Sequence, residues 1–291
     1  MVCGIVGSVG GGPSCKYYLS EYECMEQKQF DDLVQWFGGY IQRYFSLDGD
    51  TYLNNNLHLK ECHTHRVCGE TRRLAKALNL DANDTRIAET VALLHDVGRF
   101  EQFKKYRTYK DSTSEDHAVL GLRMIRQERI LEGLDAQERL WIERAVDYHN
   151  KMELPAGLDE KTALFSKIIR DTDKLDIYYI AMDNFRQYHE NPCTFQLEIE
   201  FPDEPCCSPE ILDAVEHGRL VDYRLLRTMN DVKLLQLDWA YDIYFGATLR
   251  RIVELGYLKQ IIAWLPDTKE VKRATQAVMR YVDNRINQPE A

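Results

Sequence analysis

Apolar residues recur at helical spacing along most of this chain. At about 100° per residue, Phe30, Val34, Phe37, Ile41 and Tyr44 or Phe45 form one stripe, which predicts an amphipathic helix. From Leu57 to Leu80 a second stripe carries His63, Val67, Leu74 and Leu78. His63 therefore points inward, whereas His65 falls with Arg72 and Lys76 on a face that should be solvated. A third stripe, Ile87, Val91 and Leu94, ends on His95 and Asp96, with Asp84 or Asn83 as its cap and Gly98 as a stop signal. Thr113 to Asp116 reads as a capping box ahead of a helix that places Leu120, Gly121 and Met124 on the side of His117. Ile142 and Val146 lead to His149, and Asp173 shares a face with Ile169, Asp176 and Ile180.

After Pro209 the segments Glu210 to His217, Val221 to Leu235, Trp239 to Leu255 and Thr268 to Ile286 keep the helical period, the last with Asp267 and Glu270 as a capping pair. One stretch departs from it. Phe195, Leu197, Ile199 and Phe201 alternate with Gln196, Glu198 and Glu200, a strand signal with no clear partner nearby, which leaves pairing across a homodimer open. Pro202, Pro205 and Pro209 mark the loop that follows. The expected fold is all-α, with at most one short strand or hairpin near 195–201. Its parts would be a flexible arm over 1–24, a core over 25–185 and a helical extension over 186–291 packed on that core.

Composition narrows the partners. With 44% hydrophobic residues in 291, the chain can bury a substantial core. A formal charge of −10 argues against a broad grip on nucleic acid, while a small anion drawn into a local pocket remains compatible. No run of about 18 apolar residues suggests a membrane span, and no basic start with an apolar run suggests export. A soluble, cytoplasmic protein with reduced thiols is the expectation, since none of the eight cysteines sits in a CxxC pair.

Six residues carry the candidate chemistry: His63, His95, Asp96, His117, His149 and Asp173. Imidazole and carboxylate together suit one or two divalent ions of Mn, Fe, Co, Ni or Mg, whereas a closed structural zinc site usually recruits thiolates. A buried, unpaired carboxylate costs several kcal/mol, so Asp96 at an apolar helix end requires a cation or a hydrogen-bond network.

The runs His63-Thr64-His65-Arg66-Val67, His95-Asp96-Val97-Gly98-Arg99 and Arg170-Asp171-Thr172-Asp173-Lys174-Leu175-Asp176 resemble, in order, the signatures of the HD-domain superfamily of metal-dependent phosphohydrolases. The similarity covers roughly residues 57 to 180. It implies that His63, His95, Asp96 and Asp173 hold one metal, that His117 and His149 add a second, and that Asp96 bridges the two. The implied reaction is hydrolysis of a phosphomonoester or phosphodiester, a nucleotide or related small phosphorylated molecule, by a metal-activated water.

Around these ligands Arg66, Arg99 and Lys174 are candidates to hold phosphate, with Arg99 and Lys174 assisting catalysis beside Asp96. Lys104 and Arg107 lie in a segment that alternates cations with Phe103, Tyr106 and Tyr109, a composition suited to gripping a nucleotide. The same ligand order also occurs in HD-type di-iron oxygenases, and a non-catalytic nucleotide or metal sensor is the third class. At the N-terminus Cys3-Gly4-Ile5-Val6-Gly7 resembles the start of class II glutamine amidotransferases. Cys3 would need both Met1 and Val2 removed, and the chain runs straight on into amphipathic helices, so this reading is set aside.

Overall fold

A computed structural model describes residues 24–190 and 201–288. The chain folds into twelve α-helices among the described residues, with no strand there. They are α1 (Gln27–Gln42), α2 (Thr51–Ala77), α3 (Ala82–Leu94), α4 (Gly98–Tyr106), α5 (His117–Gln127), α6 (Ala136–Tyr148), α7 (Glu160–Glu190), α8 (Pro209–Glu216), α9 (Met229–Asp238), α10 (Gly246–Glu254), α11 (Tyr257–Ala263) and α12 (Lys269–Ile286). The all-α expectation holds. The alternating stretch lies outside the described residues apart from Phe201, which belongs to no helix, and the N-terminal arm lies outside them up to residue 23.

Two apolar clusters organise the helices, and α7 runs through both. Val67 of α2, Ile87, Val91 and Leu94 of α3, Ile142 of α6 and Ile168 of α7 belong to the first, each at most 1% exposed. Each such side chain contributes about 1.5–3 kcal/mol when removed from water. From Leu175 onward the same helix joins the second cluster, with Leu234 of α9, Leu249 of α10, Ile261 of α11 and Val278 of α12. The central α2 packs on α3 and α7, and α7 in turn packs on α6.

Several boundaries differ from the sequence expectation. Helix α2 starts at Thr51 instead of Leu57, because the Asp50 side chain accepts from Leu53 N and supplies a cap. Asp81, one turn ahead of Asp84, caps α3. In α1, Leu33 and Tyr40 are buried and Val34 is 42% exposed, a shift of the stripe by about one position. The capping box expected from Thr113 is absent. Asp116 alone caps α5, accepting from Ala118 N and Val119 N.

In the C-terminal half, α9 begins at Met229, not Val221, because Thr228 and Asp231 form a reciprocal capping box there. The expected Trp239–Leu255 helix is broken. Asp171 of α7 accepts from Tyr244 N (2.9 Å) and Phe245 N (3.0 Å), so those two backbone donors cannot continue a helix. Burial pushes the Asp171 carboxyl up to about 7, against the pull of these N–H groups. Helix α11 was not expected at all and follows Gly256 in the left-handed region (φ 75°). At α12 the cap is Thr268, and Asp267 instead pairs with Lys272 at 2.5 Å.

Gly98 does not stop α3 but opens α4. Its lack of a side chain serves a close approach between α4 and α5. A Cβ on Gly98 would come within 2.6 Å of Gly121 N and closer still to the His117 carbonyl oxygen. Because both obstacles are backbone, Gly98→Ala is expected to lose at least about 1–3 kcal/mol of stability, the usual range for overpacking. Urea unfolding checks this, and an unchanged midpoint would show that α4 and α5 can separate freely.

Candidate metal centre

Five separate pieces of chain bring the six candidate residues together. His63 projects from the middle of α2, and His95 with Asp96 occupies the turn between α3 and α4. His117 is the first residue of α5, His149 caps the end of α6, and Asp173 lies midway along α7. His63, His95 and Asp173 form one group whose ligand atoms lie within 4.8 Å of one another, and Asp96, His117 and His149 form another.

Asp96 stands between the two groups. Its Oδ2 is 3.4 Å from His63 Nε2 and 3.6 Å from His95 Nε2, while its Oδ1 is 3.4 Å from His117 Nε2 and 3.9 Å from His149 Nε2. Asp173 Oδ1 completes the first group, 3.2 Å from His63 Nε2 and 3.8 Å from His95 Nε2. All four imidazoles are buried, and so is Asp96.

The remaining ring nitrogens decide what the inward ones can do. His95 Nδ1 donates to Ala92 O (2.8 Å) and His149 Nδ1 to Val146 O (2.7 Å), and a carbonyl can only accept. His63 Nδ1 donates to Asp176 (2.6 Å) and His117 Nδ1 to Asp111 (2.6 Å). With Nδ1 protonated, each neutral ring turns an Nε2 lone pair inward. Two such pairs face each other, His63 with His95 at 3.3 Å and His117 with His149 at 2.9 Å. Lone pairs opposed at these distances repel unless a proton or a metal cation intervenes. The donor set fits divalent metal on these grounds.

Charge in the cluster follows from burial and neighbours. For His63, burial and the Lys60 ammonium act downward, but Asp173, Asp176 and Asp96 prevail and lift the imidazole to about 10. His149 is pushed down to about 3 by burial and by His117 and His95 beside it. Burial likewise lowers His95. Burial works against ionisation of Asp96, yet Lys60, His95, His63 and Arg99 hold its carboxyl well below the usual range. A third group, Asp111, Asp116 and His117, also meets the distance test. Its Asp116 is already engaged in capping α5 and in binding Asn150 (2.9 Å) and Lys151 (3.0 Å).

The proposed phosphate-binding cations separate into those near the cluster and those turned elsewhere. Arg99 Nε lies 3.4 Å from Asp96 Oδ1, and its Nη1 donates to Gln102, Tyr109 O and Asp111. Lys174 sits beside Asp173 in a cavity of about 310 Å³ that reaches His149, and pairs with Asp242 at 2.6 Å. Arg66 instead forks onto Asp176 at 2.6 and 3.0 Å. The partners of Lys104 and Arg107 lie on the connection between α1 and α2. Lys104 donates to Arg43 O (3.0 Å), and Arg107 pairs with Asp50 (2.8 Å).

Sequence reasoning missed Lys60, whose Nζ donates to Asp96 Oδ2 at 2.8 Å. Its position three residues before His63 puts it on nearly the same helical stripe, which was the available signal. Asp111 and Asp242 were missed too.

Residues 61–178 match the family model of the HD domain. The chain contains an HD domain. Comparison with curated proteins and with solved structures gave no match. All six clustered residues fall inside the HD domain, whereas the cavity wall formed by Leu220, Leu235, Asp238, Trp239 and Asp242 lies beyond it. HD domains are generally hydrolases that bind divalent metals, and the paired clusters here are able to hold them.

Metal content tests whether the two groups bind metal jointly through Asp96. Manganese-loaded protein is expected to hold two ions per chain by elemental analysis, His149→Ala about one, and Asp96→Ala neither firmly. Two ions retained in Asp96→Ala would show that the two groups bind metal independently of it.

Proposed function

We propose that this chain is a metal-dependent phosphohydrolase acting on a phosphomonoester or phosphodiester of a nucleotide or related small molecule. The observation that carries this reading is the placement of Asp96 between two histidine groups, beside a cavity whose walls include Lys151, Arg170 and Lys174. His63, His95, Asp96 and Asp173 would hold one divalent ion and Asp96, His117 and His149 a second, drawn from Mn, Fe, Co, Ni or Mg. Such ions supply Lewis acidity, lowering the pKa of water and offsetting charge on phosphate oxygens.

The chain's own residues orient and balance. Lys60 and Arg99 approach the two oxygens of Asp96 from outside the histidine groups, each already within contact distance of that carboxylate. Lys60 is 22% exposed in its side chain and has the freedom to turn toward a phosphate oxygen. Arg99 is held by Gln102, Asp111 and Tyr109 O, so it positions Asp111 and, through it, His117. Lys174 borders the cavity with its ammonium paired to Asp242, and it would have to share that charge with a phosphate oxygen. Substrate selection would rest on the wall beyond the HD domain, where Trp239 supplies a flat ring and Leu220 and Leu235 supply apolar surface.

Turnover of a panel of nucleotides, cyclic dinucleotides and p-nitrophenyl phosphoesters with each metal tests the proposal. Wild type should release product only with metal, and Asp96→Ala should release none while keeping its helical circular dichroism. Lys60→Met is expected to lower kcat by about 10²-fold, the scale of losing one donor aimed at developing charge. Full activity in Asp96→Ala would overturn the assignment. Silence on every phosphoester, with iron retained and oxygen consumed, would move the function to an HD-type di-iron oxygenase.

A further inference from the structure

A second cavity, of about 330 Å³, opens on the other side of α7. Arg170, Asp173, Lys174 and Ile177 border the first cavity, and Leu175, Asp176 and Tyr179 border the second. At about 100° per residue those two sets point in nearly opposite directions. The second cavity is therefore separated from the first by the body of the helix.

Its lining is cationic in a chain of net charge −10. Arg66 and Arg73 of α2 and Arg251 of α10 border it, with Glu70 and Asp176 as the acids. Glu70 serves two of the three guanidinium groups, Arg73 at 3.1 Å and Arg251 at 3.2 Å. Among the lining residues three guanidinium groups thus meet two carboxylates, with Arg251 also reaching the exposed Glu254 at 3.8 Å from outside the lining, and planar guanidinium groups match the oxygens of phosphate. Tyr179, 45% exposed, adds a flat ring with the Arg66 guanidinium 4.7 Å from its centroid. Cations beside an open aromatic ring suit a phosphate joined to a planar base.

Gly69 supplies an independent observation. A glycine inside a helix is destabilising relative to alanine, and this one has no packing reason to be there, since a Cβ would meet nothing within 4 Å. It lines the cavity, where its missing side chain leaves the space open.

We propose that this second cavity binds a nucleoside monophosphate at a site apart from the metal centre. The phosphate sits among Arg66, Arg73 and Arg251, and the base lies against Tyr179. Asp176 belongs to both sites, because its Oδ1 receives Arg66 and its Oδ2 receives His63 Nδ1.

Calorimetric titration of AMP into Asp96→Ala, and into wild type stripped with EDTA, tests the site without turnover. Both proteins are expected to bind one AMP. Adding Gly69→Met, whose side chain would enter the cavity, or Arg251→Ala should weaken AMP by about tenfold or more. Inorganic phosphate and adenosine alone should each bind about tenfold or more weaker than AMP. Thermal melts confirm that the variants are folded, with Gly69→Met the more secure because its position is open. No AMP binding to either protein, or AMP binding untouched by Gly69→Met, would overturn the proposal. Phosphate binding as tightly as AMP would overturn the nucleotide assignment. None of these results depends on hydrolysis, so they stand or fall separately from the catalytic reading.

Discussion

Where four imidazole protons are held determines what the centre of this molecule can do. His95 and His149 use one device twice. Each ends a helix and returns its Nδ1 proton to the carbonyl three residues back, Ala92 O and Val146 O. His63 and His117 give theirs to carboxylates, Asp176 and Asp111, and those carboxylates are held by Arg66 and Arg99. The rings cannot easily turn over, because each would abandon a buried hydrogen bond at a cost of about 1–3 kcal/mol. Inward Nε2 atoms are therefore a property of the fold, present before any ion binds.

Helix α7 extends that order to the rest of the chain. Within a single turn it supplies Asp171, Asp173 and Lys174, which face three different tasks. Asp171 anchors the Tyr244–Phe245 backbone, Asp173 joins the histidines, and Lys174 pairs with Asp242. The C-terminal helices are thus tied to the histidine cluster through adjacent residues. A displacement of the Trp239–Asp242 corner would be felt at Lys174 and Asp173, and the cavity between them would change shape. This geometry sets the residues beyond the HD domain in one cavity wall with His149 and Asp173.

The helical period made the inward direction of His63 legible, along with the arrival of His95 and Asp96 at a helix end, because both depend on side-chain spacing within one element. The HD-domain likeness likewise followed from ordered short motifs. What was not legible depended on contacts between elements. The break at Tyr244 exists because Asp171, more than seventy residues earlier in the chain, captures two backbone donors. Gly98 read as a stop because glycine often ends a helix, whereas here it permits α5 to approach. Arg66, Lys104 and Arg107 were proposed from proximity along the chain, and their partners Asp176, Arg43 O and Asp50 are set by packing. Lys60 had a usable signal, its spacing from His63. Asp242 had none without the fold.

Charge balance gives the arrangement its direction. Four carboxylates, Asp96, Asp111, Asp173 and Asp176, surround the histidines, and three permanent cations, Lys60, Arg66 and Arg99, contact them. A proton on His63, whose imidazole is held up to about 10, brings this set near neutrality. Two divalent ions replacing that proton would leave the centre strongly positive, inside a chain that is negative overall. A buried excess of positive charge is stable only with a compensating anion. Phosphate is such an anion, and the cavity beside His149 and Asp173 is where it could enter. On the proposed reading the same balance would fit the density of acids around the cluster: with fewer of them two cations could not be held, and with more an anion would be turned away.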